Sequence, residues 1–197
     1  GCGNGYMTNR VEGLGARAWG VDYSEKLIKI AKERFSGEFQ VADLTQELPF
    51  ESESFELVLA HLVLMDLPEC DTIINESFRV LKEKGRVIVS VLHPLFTPPV
   101  GSFHRGILGR LWPALSHFRI KEYFTEQSLK KKIYKSSVTS IYYHRTFASY
   151  INKFLAVGFT LQKLLEPRPS REFLATHPQY KHADKIPIFL VLEFQKN

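Results

Sequence analysis

The stretch that decides the fold is GCGNGYMTNR, residues 1–10. Glycines at positions 1, 3 and 5 let the backbone approach a ligand closely and take positive φ without a Cβ penalty. Met7, Val11, Leu14 and Ala18 follow at helical spacing, so the turn opens a helix whose free N–H groups point at whatever the turn holds. The dinucleotide fingerprint asks for G-x-G-x-x-G, and Tyr6 stands where its third glycine belongs. That mismatch weakens a nicotinamide reading and leaves other nucleosides open.

Outward from the turn, strand and helix patterns alternate up to about residue 94. Residues 16–22 (ARAWGVD) read as a short buried strand, and Ser24 caps a helix whose Leu27, Ile28, Ala31 and Phe35 form one face. Residues 38–44 (EFQVADL) give the next strand, and 55–64 (FELVLAHLVL) a central one. Pro68 suits a helix start, with Ile73, Ile74, Ser77, Phe78 and Leu81 as its inner stripe and Gly85 as its end, before the strand 86–92 (RVIVSVL). Strands alternating with helices predict an α/β fold, a Rossmann-like doubly wound, mostly parallel sheet.

Beyond His93-Pro94 the rhythm changes. Residues 95–118 are rich in Pro, Gly and aromatics and read as a covering insertion rather than sheet. KEYFTE (121–126) and SVTSIYYHRTF read as short strands paired with each other, and Lys130–Lys132 as a solvated helix face. A helix at 147–158 and strands at 159–167 and 186–196 close the chain, with the final two strands antiparallel. The expected organisation is a single domain over 1–197: a cofactor-binding half (1–94), a covering insertion (95–146) and a C-terminal helix with its strands (147–197).

Composition narrows the classes. Apolar residues make up 44% and charged ones 24%, which argues against disorder. No apolar run approaches the ~18 residues of a membrane span, and no signal-peptide pattern opens the chain, so a cytoplasmic protein with no membrane partner is expected. Cys2 and Cys70 make no disulfide framework and lack metal-ligand spacing, so no metal is expected. Residues 1–94 hold 10 Lys/Arg against 15 Asp/Glu, while 95–197 hold 16 against 6. An acidic half suits a cationic ligand and a basic half an anionic acceptor, although Lys and Arg also simply coat surfaces.

Asp22 stands 19 positions after Gly3 at a strand end, where a carboxylate can accept both ribose hydroxyls; Asp43 ends the next strand. Leu48-Pro49-Phe50, then Ser54-Phe55-Glu56 and Val58, lead into the central strand. As an ordered set these residues closely resemble the class I S-adenosylmethionine-dependent methyltransferases of the small-molecule, ubiquinone-biosynthesis-like type. The resemblance spans about residues 1–94, with Glu56 in place of the family's usual Asp. It implies S-adenosyl-L-methionine as cofactor. Gly1, Cys2, Gly3 and Gly5 would pass beneath its methionine portion, and Asp22 would hold the ribose with Tyr23 near the adenine. Asp43 would bond the adenine amino group, Leu44 would support the ring through its backbone, and Ala60 and His61 would border the methionine end. In this family a strand before the glycine turn lies between the strands ending at Asp22 and at His61, so the resemblance also implies residues upstream of Gly1.

The acceptor side is less defined. His93, at the end of a strand, and His144, in YYHRTF, are candidate general bases, with His61 as a third. Tyr143 and Arg145 are candidate substrate contacts; Arg145, Arg168 and Arg171 could clamp an acidic group. Tyr6 either shapes the pocket or caps the first helix's core. The leading expectation is methyl transfer to a small-molecule acceptor. RNA methylation is the alternative drawn from the basic half and from Tyr142, Tyr143, Phe147 and Tyr150 as stacking aromatics. The absence of N-P-P-[YFW] after the central strand disfavours it. A non-catalytic S-adenosylmethionine-binding subunit is the third possibility.

Overall fold

The computed structural model describes residues 1–98, 100–104, 117–132 and 139–197. The glycine turn leads into α1 (Tyr6–Glu12), β1 (Trp19–Asp22), α2 (Glu25–Arg34) and β2 (Glu38–Val41). There follow β3 (Phe55–His61), a 3-10 turn (Leu64–Asp66), α3 (Asp71–Val80) and β4 (Leu81–Leu92). The insertion contributes β5 (Gly101–His104), β6 (His117–Ile120), β7 (Ser128–Lys132) and β8 (Thr139–Tyr143). The chain then forms α4 (Phe147–Val157), β9 (Phe159–Leu165), α5 (Arg171–Thr176), a 3-10 turn (Pro178–Asp184) and β10 (Phe189–Lys196).

β1 and β2 pair in parallel. A second sheet has the order β3-β4-β10-β9, with β3 and β4 parallel and β10 antiparallel to both neighbours, as the sequence led one to expect of the last two strands. β1 and β3 share no ladder but touch through Trp19 and Phe55, whose rings meet edge to face at 5.5 Å.

Periodicity explains which faces are buried. Val87, Val89 and Val91 of β4 and Leu190, Leu192 and Phe194 of β10 are fully buried at alternate positions. They pack against Ile74 of α3 and Tyr150 and Phe154 of α4, and each such apolar side chain is worth roughly 1.5–3 kcal/mol. The Phe154 and Phe194 rings stack at 4.4 Å. Local chemistry sets the helix ends. Ser24 Oγ accepts the Leu27 N–H (3.3 Å) to cap α2, and Thr146 Oγ1 accepts that of Ser149 (3.0 Å) to cap α4. α4 ends on Gly158 at φ 110.

Three expectations are corrected. The helix after Pro68 stops at Val80, not Gly85, because Leu81 is fully buried in strand β4; the pairing then jumps from Phe55↔Leu81 to Leu57↔Arg86, and Lys82–Lys84 bulge outward with Lys84 at φ 61. Gly101–His104 pairs with His117–Ile120, so the insertion is partly sheet. Residues 121–126 form a loop rather than a strand, and the partner of β8 is Ser128–Lys132, which places Lys130–Lys132 on a strand and not on a helix. The remainder of the covering insertion, 99, 105–116 and 133–138, lies outside the described residues.

Candidate functional site

The glycine turn is folded by backbone contacts to β1. Cys2 donates its N–H to Val21 O (2.8 Å), and Gly3 donates to Asp22 Oδ2 (2.8 Å). Asp22 Oδ1 accepts the Ser24 N–H (2.9 Å), so the carboxylate is fixed in direction by one bond to the turn and one to the loop beyond β1. Gly3 takes φ 55 and Gly5 φ 82. A Cβ at Gly3 would meet nothing within 4 Å, so that glycine faces open space, whereas one at Gly5 would lie 2.8 Å from Phe39 Cζ and 2.9 Å from Ala31 Cβ. The two glycines therefore serve different ends: Gly5 lets the turn seat against α2 and β2, and Gly3 keeps a surface clear. Gly5→Ala should cost about 2 kcal/mol from positive-φ strain and overpacking, read by urea denaturation. Gly3→Ala should cost roughly half that and act chiefly on ligand affinity.

Around this turn the carboxyl ends of three strands converge. Ala42 donates its N–H to Asp22 O (3.1 Å), which places Asp43 beside Asp22 on the neighbouring strand end. Asp43 Oδ1 accepts Thr45 N–H (2.9 Å) and Oγ1–H (2.8 Å), while Oδ2 has no hydrogen-bond partner among the described residues. Tyr23 is 73% exposed and offers a flat wall, and Tyr6 at 56% stands beside the turn instead of capping a core. Leu44 is buried behind Asp43. On the other side Gly1 abuts the Val63 side chain, just past β3. There Ala60 is buried and His61 is exposed, its Nδ1 2.6 Å from Ser90 Oγ of β4. Partial desolvation of its ring by the surrounding strand ends lowers the His61 pKa, favouring the neutral ring. Leu62 takes φ 53, an uncommon conformation for a branched residue, with its N–H given to Ser90 O (2.9 Å). A cavity of about 540 Å³ lies at the opposite end of β1 and β3, against Trp19, Phe50, Phe55 and Arg79, away from these carboxylates.

The acceptor-side residues behave differently from expectation. His93 is 2% exposed with both ring nitrogens engaged: Nδ1 accepts the Leu95 N–H (3.3 Å), so Nε2 carries the proton given to Glu166 Oε1 (2.8 Å). It tethers the start of the insertion to the end of β9 and has no free lone pair for base work in this arrangement. His144 is equally buried; Nε2–H donates to Tyr123 O (2.9 Å), and Nδ1 has no hydrogen-bond partner among the described residues. Arg145 is 5% exposed, with Nη1 donating to Leu64 O (3.0 Å) and Nη2 to Leu67 O and Pro68 O (both 2.8 Å). The expected substrate clamp is instead an internal brace, since these donors are spent on the loop after β3. Tyr143 is half-buried, 5.9 Å from the Arg145 guanidinium carbon. Arg168 pairs with Asp184 (3.0 Å), and Arg171 opens α5 at the surface. Tyr142 and Tyr150 are core residues at 7% and 1% exposure, and burial drives the Tyr150 phenol far above its ordinary pKa. The stacking platform imagined for RNA is thereby dismantled.

Sequence reasoning missed the supports. Glu76 and Arg79 of α3 clamp the Leu48-Pro49-Phe50 backbone: Leu48 N–H donates to Glu76 Oε2 (2.7 Å), and Arg79 donates to Phe50 O (2.8 Å) and Leu48 O (3.1 Å). The Arg79 hydrogen bond holds the Glu76 pKa below its usual range. Ser90, a lone hydroxyl inside RVIVSVL, was the available signal for a partner of His61. Among the described residues no His/Cys/Asp/Glu group could hold a metal, and no helix is long and apolar enough to cross a membrane.

Comparisons with known proteins agree with this geometry. Residues 1–89 match the methyltransferase domain family. A demethylmenaquinone methyltransferase of Clavibacter sepedonicus is 32% identical over 108 residues, covering 53% of this chain and 42% of that protein. One from Lactococcus lactis is 33% identical over 102 residues, covering 47% and 40%. The chain thus spans about two fifths of the length of these relatives. Among solved structures, an S-adenosylmethionine-dependent methyltransferase from Mesorhizobium loti shares the fold at TM-score 0.83 and 21% identity, covering 100% of this chain and 88% of that one. A structure from Listeria monocytogenes, described as a candidate enzyme of the same class, aligns at TM-score 0.82 and 26% identity, covering 100% and 87%. With a glycine turn bonded to a strand-end aspartate, a second aspartate beside it, and these likenesses in sequence and fold, residues 1–89 carry a methyltransferase domain and the chain has the fold of the S-adenosylmethionine-dependent methyltransferases.

Proposed function

We propose that this chain transfers a methyl group from S-adenosyl-L-methionine to a small-molecule acceptor. The observation that carries the reading is the 2.8 Å bond between Gly3 N–H and Asp22 Oδ2 beside the open face of Gly3. It presents a carboxylate and an unobstructed backbone to one nucleoside. Asp22 would accept from the ribose hydroxyls with its remaining lone pairs. Asp43 Oδ2, without a hydrogen-bond partner among the described residues, would accept from the adenine amino group, against Tyr23 and the backbone of Leu44. Gly1, Cys2 and Gly3 would floor the methionine end, bordered by Ala60 and His61.

The bound cofactor would supply a sulfonium methyl to an attacking nucleophile. The chain's part is to hold the acceptor in line, where placement at ~3–3.5 Å supplies up to ~7–11 kcal/mol of the barrier. Where the acceptor must lose a proton, His61 is the histidine suited to take it. Its Nδ1 is oriented by Ser90 and its ring is favoured neutral, whereas His93 and His144 are sealed in the fold. A reduced quinone ring is the first acceptor to try, because the sequence relatives named above are demethylmenaquinone methyltransferases and such a ring is an electron-rich, ionisable nucleophile.

The test is thermal stabilisation by S-adenosylmethionine and its demethylated product against NAD, followed by transfer of labelled methyl to a demethylated quinol. Ligand at 100 times Kd adds about 2.7 kcal/mol, a shift of roughly 5–10 °C for a chain of this size. A shift with NAD and none with S-adenosylmethionine would overturn the reading.

A further inference from the structure

The insertion carries a feature that methyl transfer does not use. Phe124 is 88% exposed, yet the loop that bears it is held firmly. Its neighbour Tyr123 points inward, where its carbonyl accepts from His144 Nε2 (2.9 Å) and its hydroxyl accepts the Phe147 N–H (2.7 Å). Glu122 takes φ 51, and Thr125 N–H closes the turn onto Glu122 O (3.0 Å). The Phe124 ring meets the Tyr123 ring edge to face at 5.3 Å, so it is steadied at one edge while the rest of it stands in solvent as a tip. Ile120, four residues before it, is 46% exposed, and Ile141 is 39% exposed. In the β7–β8 hairpin Leu129 pairs with buried Tyr142, so Lys130 and its partner Ile141 share the outward face. Arg119, Lys121 and Lys130 are exposed, and residues 117–132 hold five Lys/Arg against two acids, Glu122 and Glu126. Arg145, two residues past β8, joins this element to residues 64–68, at the end of β3 where the candidate cleft lies.

We propose that this loop and hairpin form a docking surface for an anionic phospholipid membrane, with Phe124 as the inserted tip and Arg119, Lys121 and Lys130 facing the headgroups. A rigid aromatic flanked by aliphatic and basic side chains matches the interface between acyl chains and headgroups, and excess positive charge complements an anionic leaflet. RNA is the less suitable anion, because Tyr142 and Tyr150, which a base-stacking row would need, are buried. A surface contact needs no spanning helix, so it departs from the expectation of no membrane partner, which rested on span length alone. It does not rest on the methyl-transfer reading, since binding is measured without cofactor.

The experiment is co-sedimentation of the chain with phosphatidylglycerol-containing and pure phosphatidylcholine vesicles, in low and high salt. The wild type should bind the anionic vesicles selectively and release in salt. Phe124→Ser should weaken binding about tenfold or more, from the loss of one buried aromatic. Lys121→Ala and Lys130→Ala should each weaken it roughly fivefold. Because Phe124 is so exposed, Phe124→Ser should leave the unfolding temperature unchanged, which separates lost docking from lost folding. Wild type that ignores both vesicle types, or Phe124→Ser that binds as wild type, overturns the proposal. It is equally overturned if Phe124→Ser turns a dimer into a monomer without affecting vesicles, or abolishes binding to single-stranded RNA instead.

Discussion

An Asp22→Ala chain is expected to gain no thermal stability from S-adenosylmethionine, where the wild type gains roughly 5–10 °C at 100 times Kd. Asp22 has two duties, and the measurement must separate them. Its oxygens accept the Gly3 and Ser24 N–H groups at 2.8 and 2.9 Å, so truncation also strips two backbone donors of their acceptor. Each such loss costs ~1–3 kcal/mol where water cannot substitute, less at this half-buried site. The variant's own melting temperature should therefore fall, and the informative quantity is the increment that ligand adds to that lowered baseline. Asp43→Asn provides the contrast. An asparagine oxygen still satisfies Thr45, so the baseline should hold, while the open Oδ2 position loses its charge and the increment should shrink without vanishing. If Asp22→Ala keeps the full increment, the ribose assignment fails, and the glycine turn would have to serve some other ligand.

The elements that carry these carboxylates were legible because their signals are local. A glycine-spaced turn, a serine cap at 24 and apolar runs at 55–61 and 86–92 state their conformation within a few residues. Errors arose where a distant partner overrules local preference. Lys82, Glu83 and Lys84 are good helix formers, and propensity alone continues the helix to Gly85. Burial of Leu81 against α4 and β10 ends it earlier, at a cost of one positive φ at Lys84. The insertion's hairpins were blurred for the same reason: four- and five-residue strands with mixed polarity are defined by their pairing, not by their pattern. On the acceptor side, His93, His144 and Arg145 look alike in sequence to mobile catalytic groups. What distinguishes them is whether their polar atoms are already spent, and their partners lie at Glu166, Tyr123 and residues 64–68, far away along the chain.

Arg145→Met is accordingly expected to cost about 3–5 kcal/mol of folding stability, the largest single-residue effect foreseen here. Methionine preserves much of the aliphatic stem, so packing is largely kept and the guanidinium head is what disappears. Its hydrogen bonds end on Leu64 O, Leu67 O and Pro68 O, at sequence separations of 81, 78 and 77. Leu64 O has a second, weak partner in the Leu67 N–H at 3.4 Å, which trims the penalty there. Arg145→Lys should recover only part of the loss, because one ammonium cannot reproduce a planar fork that sends separate nitrogens to separate carbonyls. Urea denaturation reads the effect as a fall in midpoint of about 2 M, taking a slope near 2 kcal/mol per molar. A loss below about 1 kcal/mol would mean that water replaces the guanidinium and that the brace is dispensable. The stakes extend past stability: residues 64–68 follow directly on His61 and the strained Leu62, so releasing them loosens the edge of the cleft that Asp22 and Gly3 build from the other side.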